Sequence, residues 1–313
     1  SLLPVLSRDN LVILESTVAP RTTEDVLVPI LERSGLKVGD GLHVAYCPER
    51  VLPGRTLREL VENDRIIGGV DSRSAELAMQ LYSQVVDGPI VATDATSAEL
   101  SKLMENASRD VNIALANELA RVCTHFGRDA RSVFALSNRH PRVKLLDAGP
   151  GVGGHCIPVD PWFLIQALPQ DCRLLRTARE INDQQPARVM QRVKEIVGWP
   201  PGPKVTILGL AYKADVDDVR NSPAVQLARM LAGEGYELGI CDPHVRSIDL
   251  RLTPPTPALE GTDCVLVLTG HSEFLLLDPL QVRQVVRTAN LLDTRGALDS
   301  KQWAAAGFAV HTL

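Results

Sequence analysis

Cys156 is the side chain of this sequence whose setting best suits nucleophilic chemistry. It ends a glycine-rich loop, follows His155 directly and lies four residues before Asp160. A cysteine with small neighbours and nearby charge can react as a thiolate. The alternative is that Cys156 is a small buried residue in a tight loop. Asp160 also has a structural alternative, because an aspartate followed by Pro161 is typical of a helix start.

Three polar side chains share one face of the longest helical pattern, which covers residues 97–126. Lys102, Asn106 and Arg109 stand at positions i, i+4 and i+7, and this spacing places them on one side of a helix. Such a stripe is either a solvated edge or the wall of a polar pocket, and the residue types alone leave both possibilities open.

The elements that must position these residues lie in two regions where short strands alternate with helices. That alternation is typical of α/β layers with parallel sheets. Thr17 and Glu49 each follow or end a predicted strand, which is where such sheets bind ligands. The predicted strands are residues 12–17, 43–47, 65–68, 90–92, 204–208, 237–241, 264–268 and 290–293. The predicted helices are residues 23–33, 74–86, 97–126, 223–233 and 279–287, and helix-like segments continue after residue 126 to about residue 197, interrupted at residues 149–161.

Composition limits the class of protein. At about 150 residues per domain, 313 residues allow about two domains. The net charge of −5 implies no general affinity for nucleic acid or an anionic membrane. No apolar run approaches the length of a membrane-spanning helix. The six cysteines form no C-x-x-C pair and no zinc-like spacing, so we expect free thiols in a cytoplasmic protein and no metal.

Residues 149–154 (GPGVGG) match the dinucleotide-binding pattern G-x-G-x-x-G. That pattern is meaningful only between a strand and a helix, with an acidic residue about twenty positions later. Residues 143–146 could form the strand, but Pro158 would fall within the first turns of the helix. No strand ending in an acidic residue follows at the required distance. We therefore interpret these residues as a loop shaped around a ligand.

Several motifs together resemble the UDP-glucose/GDP-mannose 6-dehydrogenase family over essentially the whole chain. The motifs are residues 15–20 (ESTVAP), 98–106 (AELSKLMEN), 151–156 (GVGGHC), 209–213 (GLAYK) and 218–223 (DVRNSP). Three more are similar to the UDP-N-acetyl-D-mannosamine branch: residues 47–54 (CPERVLPG), 63–69 (NDRIIGG) and 137–143 (SNRHPRV). Two residues depart from the family pattern. Arg21 replaces a usual glycine, and Pro53 stands where a second acid is common.

The resemblance implies an NAD-dependent, four-electron oxidation of the C6 alcohol of a UDP-sugar to a carboxylate. Cys156 would form a thiohemiacetal with the intermediate aldehyde and then a thioester, which water cleaves. The favoured substrate is UDP-N-acetyl-D-mannosamine, and the product would serve polysaccharide biosynthesis. UDP-glucose and UDP-N-acetylglucosamine are the alternative substrates.

The resemblance also implies roles for particular residues. Lys102 and Asn106 would stabilise developing oxyanions. Asp160 and Thr17 would order water or the reacting oxygen, and Glu49 would act as a base in thioester hydrolysis. The residues expected to bind substrate are Arg50, Val51, Arg109, His140, Arg142, Gly153, Tyr212, Lys213 and Arg220, with His140 and Arg142 reaching a sugar held by the neighbouring subunit. Thr17 and Arg220 are expected to contact NAD.

The implied architecture has two Rossmann-like parallel-sheet domains, the first incomplete, joined by a central helical domain with one long helix. We predict that residues 1–94 are the remainder of the NAD-binding domain and that residues 95–198 are the central catalytic domain, which forms a homodimer through the long helix. Residues 199–313 would form the UDP-binding domain, after the helix-breaking tract at residues 198–203.

Two alternatives concern the cofactor. No segment resembles the family's opening G-x-G-x-x-G turn, so we expect about 100 residues of the first βαβ portion to be absent. The chain could then be an inactive fragment that binds nucleotide sugars and dimerises. In the other alternative, a different dehydrogenase binds NAD in the C-terminal region near Gly209 and Asp242.

Overall fold

Short runs of aliphatic residues form two β-sheets, one in each of two units of the chain. The computed structural model describes residues 2–51 and 56–313. The first unit comprises Ser1–Ala107 and Asp160–Arg173, and the second comprises Ser108–Val159 and Leu174–Leu313. Pro53, one of the two departures from the family pattern, lies outside the described residues.

The sheet of the first unit has the order β1-β3-β4-β5, with β2 paired to β3. Its strands are β1 (Asn10–Leu14), β2 (Lys37–Val38), β3 (Gly41–Tyr46), β4 (Arg65–Gly69) and β5 (Ile90–Asp94). Strands β1 and β3 are parallel, as are β4 and β5, whereas β3 and β4 are antiparallel. The carboxyl ends of β1 and β3 therefore lie side by side, with Leu14 opposite Tyr46.

The first strand is shorter than the sequence predicts, because it ends at Leu14 instead of residue 17. The register of the β1–β3 pair would bring Ser16 opposite Pro48. Proline has no backbone N–H and cannot extend the ladder. The segment that contains Thr17 is consequently a loop beyond the sheet edge.

The helices of the described residues, in chain order, are α1 (Val28–Leu31), α2 (Thr56–Glu62), α3 (Ser72–Tyr82), α4 (Ala95–His125), α5 (Ala130–Ser137), α6 (Asp160–Ala167), α7 (Arg173–Asp183), α8 (Gln185–Val197), α9 (Pro223–Glu234), α10 (Pro255–Leu259), α11 (Ser272–Leu275), α12 (Pro279–Val285) and α13 (Ser300–Ala305). A π-helical turn at Thr23–Leu27 precedes α1, and a 3₁₀ turn at Glu32–Ser34 follows it. The predicted helix over residues 23–33 is thus three short pieces, since Pro29 cannot donate to a preceding turn.

The sheet of the second unit is parallel throughout, in the order β10-β9-β8-β6-β7. Its strands are β6 (Lys204–Leu208), β7 (Glu237–Cys241), β8 (Cys264–Val267), β9 (Asn290–Asp293) and β10 (Ala309–His311). Alternate residues of β8 point to opposite faces: Leu266 packs in the cluster with α8 and α9, and Val265 in the cluster with α12 and α13. Helices therefore cover both faces, which explains the continuous apolar strands.

The predicted α/β fold class is confirmed, and three strands of the second sheet have the predicted bounds. The sequence-based prediction missed β2, β10, α2, α10, α11 and α13, which are short. Residues 143–146, which could have preceded a dinucleotide turn, do not form a strand. Across the described ranges, no helix has both the length and the apolar character needed to cross a membrane.

A buried polar chain links α4, α7 and the start of the glycine loop within the second unit. Asp110 accepts hydrogen bonds from Arg179 (2.5 Å) and from the Asn182 amide (2.8 Å). The Asn182 oxygen accepts from Asn117 (2.9 Å), whose own oxygen accepts from the backbone N–H of Gly149 (2.9 Å). The side chains of Asp110 and Arg179 are each 1% exposed, so this pair is shielded from solvent.

We expect Asp110→Ala to destabilise the second unit strongly, because the buried Arg179 guanidinium then keeps, among the described residues, Asp183 as its one ionic partner. Breaking a buried pair in this way typically costs about 3–5 kcal/mol. Urea unfolding measures the loss. The matched control is Arg229→Ala, which breaks the exposed pair with Asp249 and should leave the unfolding midpoint near that of the wild type. Equal shifts in the two variants would contradict the assignment.

Candidate active site

Glu99 fixes the loop that follows β1. Its side chain is buried at 0% exposure and accepts hydrogen bonds from the backbone N–H groups of Arg21 (2.5 Å) and Thr23 (2.8 Å). The Thr23 hydroxyl donates a third bond to it, at 2.6 Å. Charge-assisted hydrogen bonds to backbone N–H groups are strong and directional. The loop is therefore attached to the first turns of α4, the helix that carries Lys102 and Asn106.

Arg21 adopts a left-handed backbone conformation, with φ of 70°. The left-handed conformation is costly for most residues and free of strain for glycine. This explains why glycine is usual at this position in the family that the sequence resembles. In this chain the Arg21 side chain pairs with Asp25 at 2.7 Å and with Glu24 at 3.6 Å. The departure is thus a strained residue with a local ionic compensation.

Thr17 and Glu49 lie in loops beyond the adjacent carboxyl ends of β1 and β3, and both are half-buried. The Glu49 N–H donates to the Glu15 carbonyl (3.2 Å), which ties the two loops together. One Glu49 carboxylate oxygen accepts from the N–H of Val51 (2.6 Å). The structure therefore brings Thr17, Glu49 and Val51 to one sheet edge, the edge at which open α/β sheets bind ligands.

Asn106 and Asp160 are in direct contact. The Asn106 amide nitrogen donates to Asp160 Oδ2 at 2.5 Å, and Asp160 is 3% exposed at the start of α6. Lys102 lies one turn before Asn106 on α4 and is half-buried. The predicted substrate residue Arg50 pairs with Glu105 of the same helix. Asn106, one of the three polar residues on this face of α4, is therefore hydrogen-bonded within the protein and does not belong to a solvated edge.

The glycines of residues 149–154 make room for another loop of the second unit. A Cβ atom on Gly153 would lie 2.6 Å from Tyr212 Cβ and 3.0 Å from the Asn221 carbonyl oxygen. Gly154 has φ of +90°, its N–H donates to the Arg220 carbonyl (2.9 Å), and its carbonyl accepts from the Asn221 amide (3.0 Å). This explains the glycine pattern without a pyrophosphate. Half-buried Cys156 lies two residues after Gly154.

Asp242 anchors the loop that carries Tyr212, Lys213 and Arg220. Its buried carboxylate accepts five hydrogen bonds, from the N–H groups of Leu210, Ala211, His244 and Val245 and from the His271 ring. Despite burial, these bonds hold the pKa of Asp242 well below its usual range. With both oxygens occupied, this carboxylate offers nothing to a ribose, which argues against an NAD site near Gly209 and Asp242.

Asp215, His244 and His271 bring possible metal-ligand atoms within 4.8 Å of one another. His271 is 0% exposed and uses both ring nitrogens: Nδ1 accepts from the Asp215 N–H (2.9 Å), and Nε2 lies 3.0 Å from Asp242 Oδ2. A ligating histidine needs one nitrogen free for the metal. We therefore assign this cluster a structural role in holding the loop.

Arg220 is paired with a carboxylate of its own loop. Its guanidinium makes a two-point contact with Asp218, the closer bond being 2.6 Å. The pKa of Arg220 is raised chiefly by this hydrogen bond, with smaller contributions from the charges of Tyr212 and Cys156. Arg220 and Cys156 are therefore close enough to interact electrostatically. Lys213 is exposed in the same loop.

The remaining predicted residues are not brought to these contacts. Arg109, His140 and Arg142 are exposed. The N–H of Arg142 donates to His140 Nδ1 at 3.3 Å, so these two residues lie together after α5. Their predicted role involves a neighbouring subunit and stays a prediction.

Sequence analysis missed the residues that hold the site in shape. These are Glu99, Glu105, Asn221 and His271, together with Asp242, which was considered only as part of an alternative NAD site. Glu99 and Asn221 stand inside the quoted motifs, and Asp242 follows a predicted strand, so the signal was their position beside the candidate residues. Glu99, Asn221 and Asp242 bind mainly backbone groups, which a sequence pattern does not identify, whereas Glu105 pairs with Arg50 and His271 with Asp242.

Comparison with known proteins places this geometry in a family. Models of the UDP-glucose/GDP-mannose dehydrogenase family match over residues 1–86 (NAD-binding domain), 96–184 (central domain) and 206–300 (UDP-binding domain). A UDP-N-acetyl-D-mannosamine dehydrogenase from Methanocaldococcus jannaschii is 44% identical over 316 positions, which cover 100% of this chain and 72% of that protein. The chain belongs to the UDP-glucose/GDP-mannose dehydrogenase family. The predictions of the family, of an NAD-dependent nucleotide-sugar dehydrogenase and of NAD as cofactor are confirmed.

Two further proteins show which members of the family this chain resembles. An NDP-N-acetyl-D-galactosaminuronic acid dehydrogenase from Ralstonia solanacearum is 44% identical, over 96% of this chain and 74% of that protein. The structure of a UDP-D-ManNAc dehydrogenase from Pyrococcus horikoshii matches with a TM-score of 0.92 and 40% identity, over 99% of this chain and 74% of that one. The predicted resemblance to the mannosamine branch is therefore confirmed.

We expect Arg21→Gly to raise the melting temperature by about 2 °C, because it removes left-handed strain while sacrificing only an exposed ion pair. Arg21→Val should lower it, since a β-branched residue tolerates this conformation least. Differential scanning calorimetry of the three proteins gives the order. A melting temperature that falls in Arg21→Gly would show that the ion pair with Asp25 outweighs the backbone strain.

Proposed function

We propose that this chain acts in the NAD-dependent oxidation of UDP-N-acetyl-D-mannosamine to the corresponding uronate. The observation that carries the proposal is the contact of Gly154 with Arg220 and Asn221, because it attaches the Cys156 loop to a loop of the UDP-binding domain. Support for the sugar comes from relatives named UDP-N-acetyl-D-mannosamine dehydrogenase, at 39–44% identity.

The residues at the edge of the first sheet fit a nicotinamide cofactor. Thr17 lies beyond β1, at parallel strand ends where such sheets bind nucleotides. The end of its loop is fixed by Glu99, through the N–H groups of Arg21 and Thr23. When bound, NAD⁺ accepts the hydride in each of the two oxidations. We propose Thr17 and Arg220 as the residues of this chain that contact it.

The proposed covalent chemistry takes place on Cys156. Its thiolate adds to the C6 aldehyde, so a C–S bond forms and the carbonyl oxygen becomes an oxyanion. After the second oxidation the same carbon is a thioester. Water then adds, the C–S bond breaks, and the products are the carboxylate and the free thiol.

Other residues have proposed roles around the oxygen atoms of the sugar. Lys102 supplies a positive charge and Asn106 an N–H donor to the oxyanions. Asp160 holds the Asn106 amide through its 2.5 Å hydrogen bond and, with Thr17, orders water. Glu49 is the base for thioester hydrolysis. The proposed substrate-binding residues are Arg50, Val51, Arg109, His140, Arg142, Gly153, Tyr212, Lys213 and Arg220.

We also propose the division into residues 1–94, 95–198 and 199–313 as the NAD-binding, central and UDP-binding domains. The matched ranges 1–86, 96–184 and 206–300 support it. The two structural units have other boundaries, because residues 95–107 at the start of α4 and residues 160–173 belong to the first unit.

We expect this chain to bind UDP-N-acetyl-D-mannosamine at least about tenfold more tightly than GDP-mannose, a difference of about 1.4 kcal/mol measurable by calorimetry. With NAD⁺ present, NADH and the uronate should form. Cys156→Ala should abolish uronate formation, and Lys102→Ala should slow it by about 10²–10³.

The outcomes separate the alternatives. A higher kcat/KM for UDP-glucose or UDP-N-acetylglucosamine would replace the proposed sugar. Retained uronate formation in Cys156→Ala would remove this thiol from the mechanism. Tight UDP-sugar binding without any NADH would favour the nucleotide-sugar-binding fragment.

We propose that the second half of α4 forms the seam of a homodimer. Leu115 (43% exposed), Val122 (49%) and Phe126 (70%) follow one another at spacings of seven and four residues, so they share one helical face. An exposed apolar stripe of this kind marks an interaction surface.

We expect sedimentation equilibrium to give a dimer for the wild type and a monomer for Leu115→Asp, because an unpaired carboxylate is costly in an apolar interface. Thr124→Asp is the control, since Thr124 is exposed on the opposite side of the helix. A monomeric wild type, or dissociation caused equally by both substitutions, would refute this seam.

A further inference from the structure

Two loops of the second unit are joined by reciprocal hydrogen bonds. The cysteine loop is residues 149–156 and the nucleotide loop is residues 209–222. The N–H of Gly154 donates to the Arg220 carbonyl (2.9 Å), and the Asn221 amide donates to the Gly154 carbonyl (3.0 Å). Both peptide groups of Gly154 are thus bound by two consecutive residues of the nucleotide loop, two positions before Cys156.

The backbone conformation of Asn221 suits this contact. Its φ is 48°, in the left-handed region that asparagine tolerates better than other non-glycine residues. Immediately afterwards, Ser222 caps α9 by accepting from the Ala224 N–H (3.2 Å) and donates its hydroxyl to the Leu210 carbonyl (2.5 Å). Asn221 is therefore held between a helix terminus and the other end of its own loop.

The two loops have little freedom to move independently. Gly153 approaches Tyr212 and Asn221 so closely that a Cβ atom would overlap both. The far end of the cysteine loop is fixed by the Gly149 N–H bond to Asn117, and the nucleotide loop is fixed by Asp242. A displacement of the nucleotide loop has to be transmitted through Gly154 or break these bonds.

We propose that Asn221 is a positioning residue that couples occupation of the nucleotide loop to the placement of the Cys156 thiol. The proposal rests on the proposed function, in which Tyr212, Lys213 and Arg220 of this loop bind the UDP portion of the substrate. A bound diphosphate restrains the nucleotide loop, and Asn221 passes that restraint to the cysteine loop. The thiol is then held more firmly in one position when a nucleotide is present.

The test is the alkylation rate of Cys156 by iodoacetamide, in which the thiolate forms a C–S bond and iodide leaves. Mass spectrometry of the Cys156 peptide gives the rate. Cys172, also partly exposed, serves as an internal reference. Asn221→Gly is the variant, because it deletes the amide while glycine accepts the left-handed conformation. Asp217→Asn, an exposed position of the same loop, is the control.

Without nucleotide, we expect Asn221→Gly to alkylate at Cys156 about three- to tenfold faster than wild type, as loss of one ordinary hydrogen bond implies. Cys172 and the melting temperature should change little. Saturating UDP should slow Cys156 alkylation at least about threefold in the wild type and in Asp217→Asn. In Asn221→Gly, UDP should still bind, but its effect on the rate should largely disappear.

Three results would overturn the coupling. Wild-type and Asn221→Gly rates within a factor of about two without UDP would show that Asn221 does not restrain Cys156. An equal UDP effect in both proteins would show direct shielding of the thiol. A parallel rise in Cys172 alkylation would indicate general loosening. Failure of UDP to bind the wild type would instead overturn the proposed nucleotide loop, and the ligand-free comparison would still test the link between the loops.

Discussion

The buried carboxylate of Asp242 is the group on which the functional geometry of the second unit depends. It lies just beyond β7 and binds backbone groups beyond two strand ends, together with the His271 ring. A buried charge is tolerated only when it is fully hydrogen-bonded. Because its pKa is lower in the folded state, its contribution to stability is complete above the ordinary carboxyl pKa and is lost as the pH falls below that value.

The same physical solution occurs in the first unit, with different residues. Glu99 is buried and binds the N–H groups of Arg21 and Thr23 and the hydroxyl of Thr23, so it fixes the loop after β1 to α4. Loops at the carboxyl edge of a sheet have N–H groups that no strand can pair. A carboxylate on a neighbouring rigid element satisfies several of them together. Each unit thus uses one acidic side chain to turn a loop into a fixed surface.

Sequence alone predicted much of the fold, and the successes and errors have physical causes. The strands at residues 204–208, 237–241 and 290–293 were placed correctly, because strands buried over most of their length are largely apolar runs between clear turn residues. The first strand was too long, because its end is set by Pro48 on the partner strand. The antiparallel pairing of β3 and β4 depends on contacts far apart in the sequence, which periodicity does not report.

In the candidate site, too, some residues were predictable from the sequence and others were not. Helical spacing placed Lys102 and Asn106 on one face but left a solvated edge and a pocket wall both open, and the bond from Asn106 to Asp160 favours the second at the Asn106 end. The positioning residues Glu99, Asn221 and Asp242 could not be predicted, because they bind mainly backbone atoms. Any residue can supply a backbone N–H, so these partners leave no mark in the pattern of side chains.

The glycine loop shows how one sequence pattern can arise from two constraints. In a dinucleotide turn, glycine lets the backbone approach a pyrophosphate. At Gly153 and Gly154 it lets the backbone approach Tyr212 and Asn221 of the same chain. The steric requirement is identical, since a Cβ atom is excluded in both cases, and only the neighbouring surface differs. The surface here is a loop of the UDP-binding domain, so the glycines connect Cys156 to the nucleotide loop.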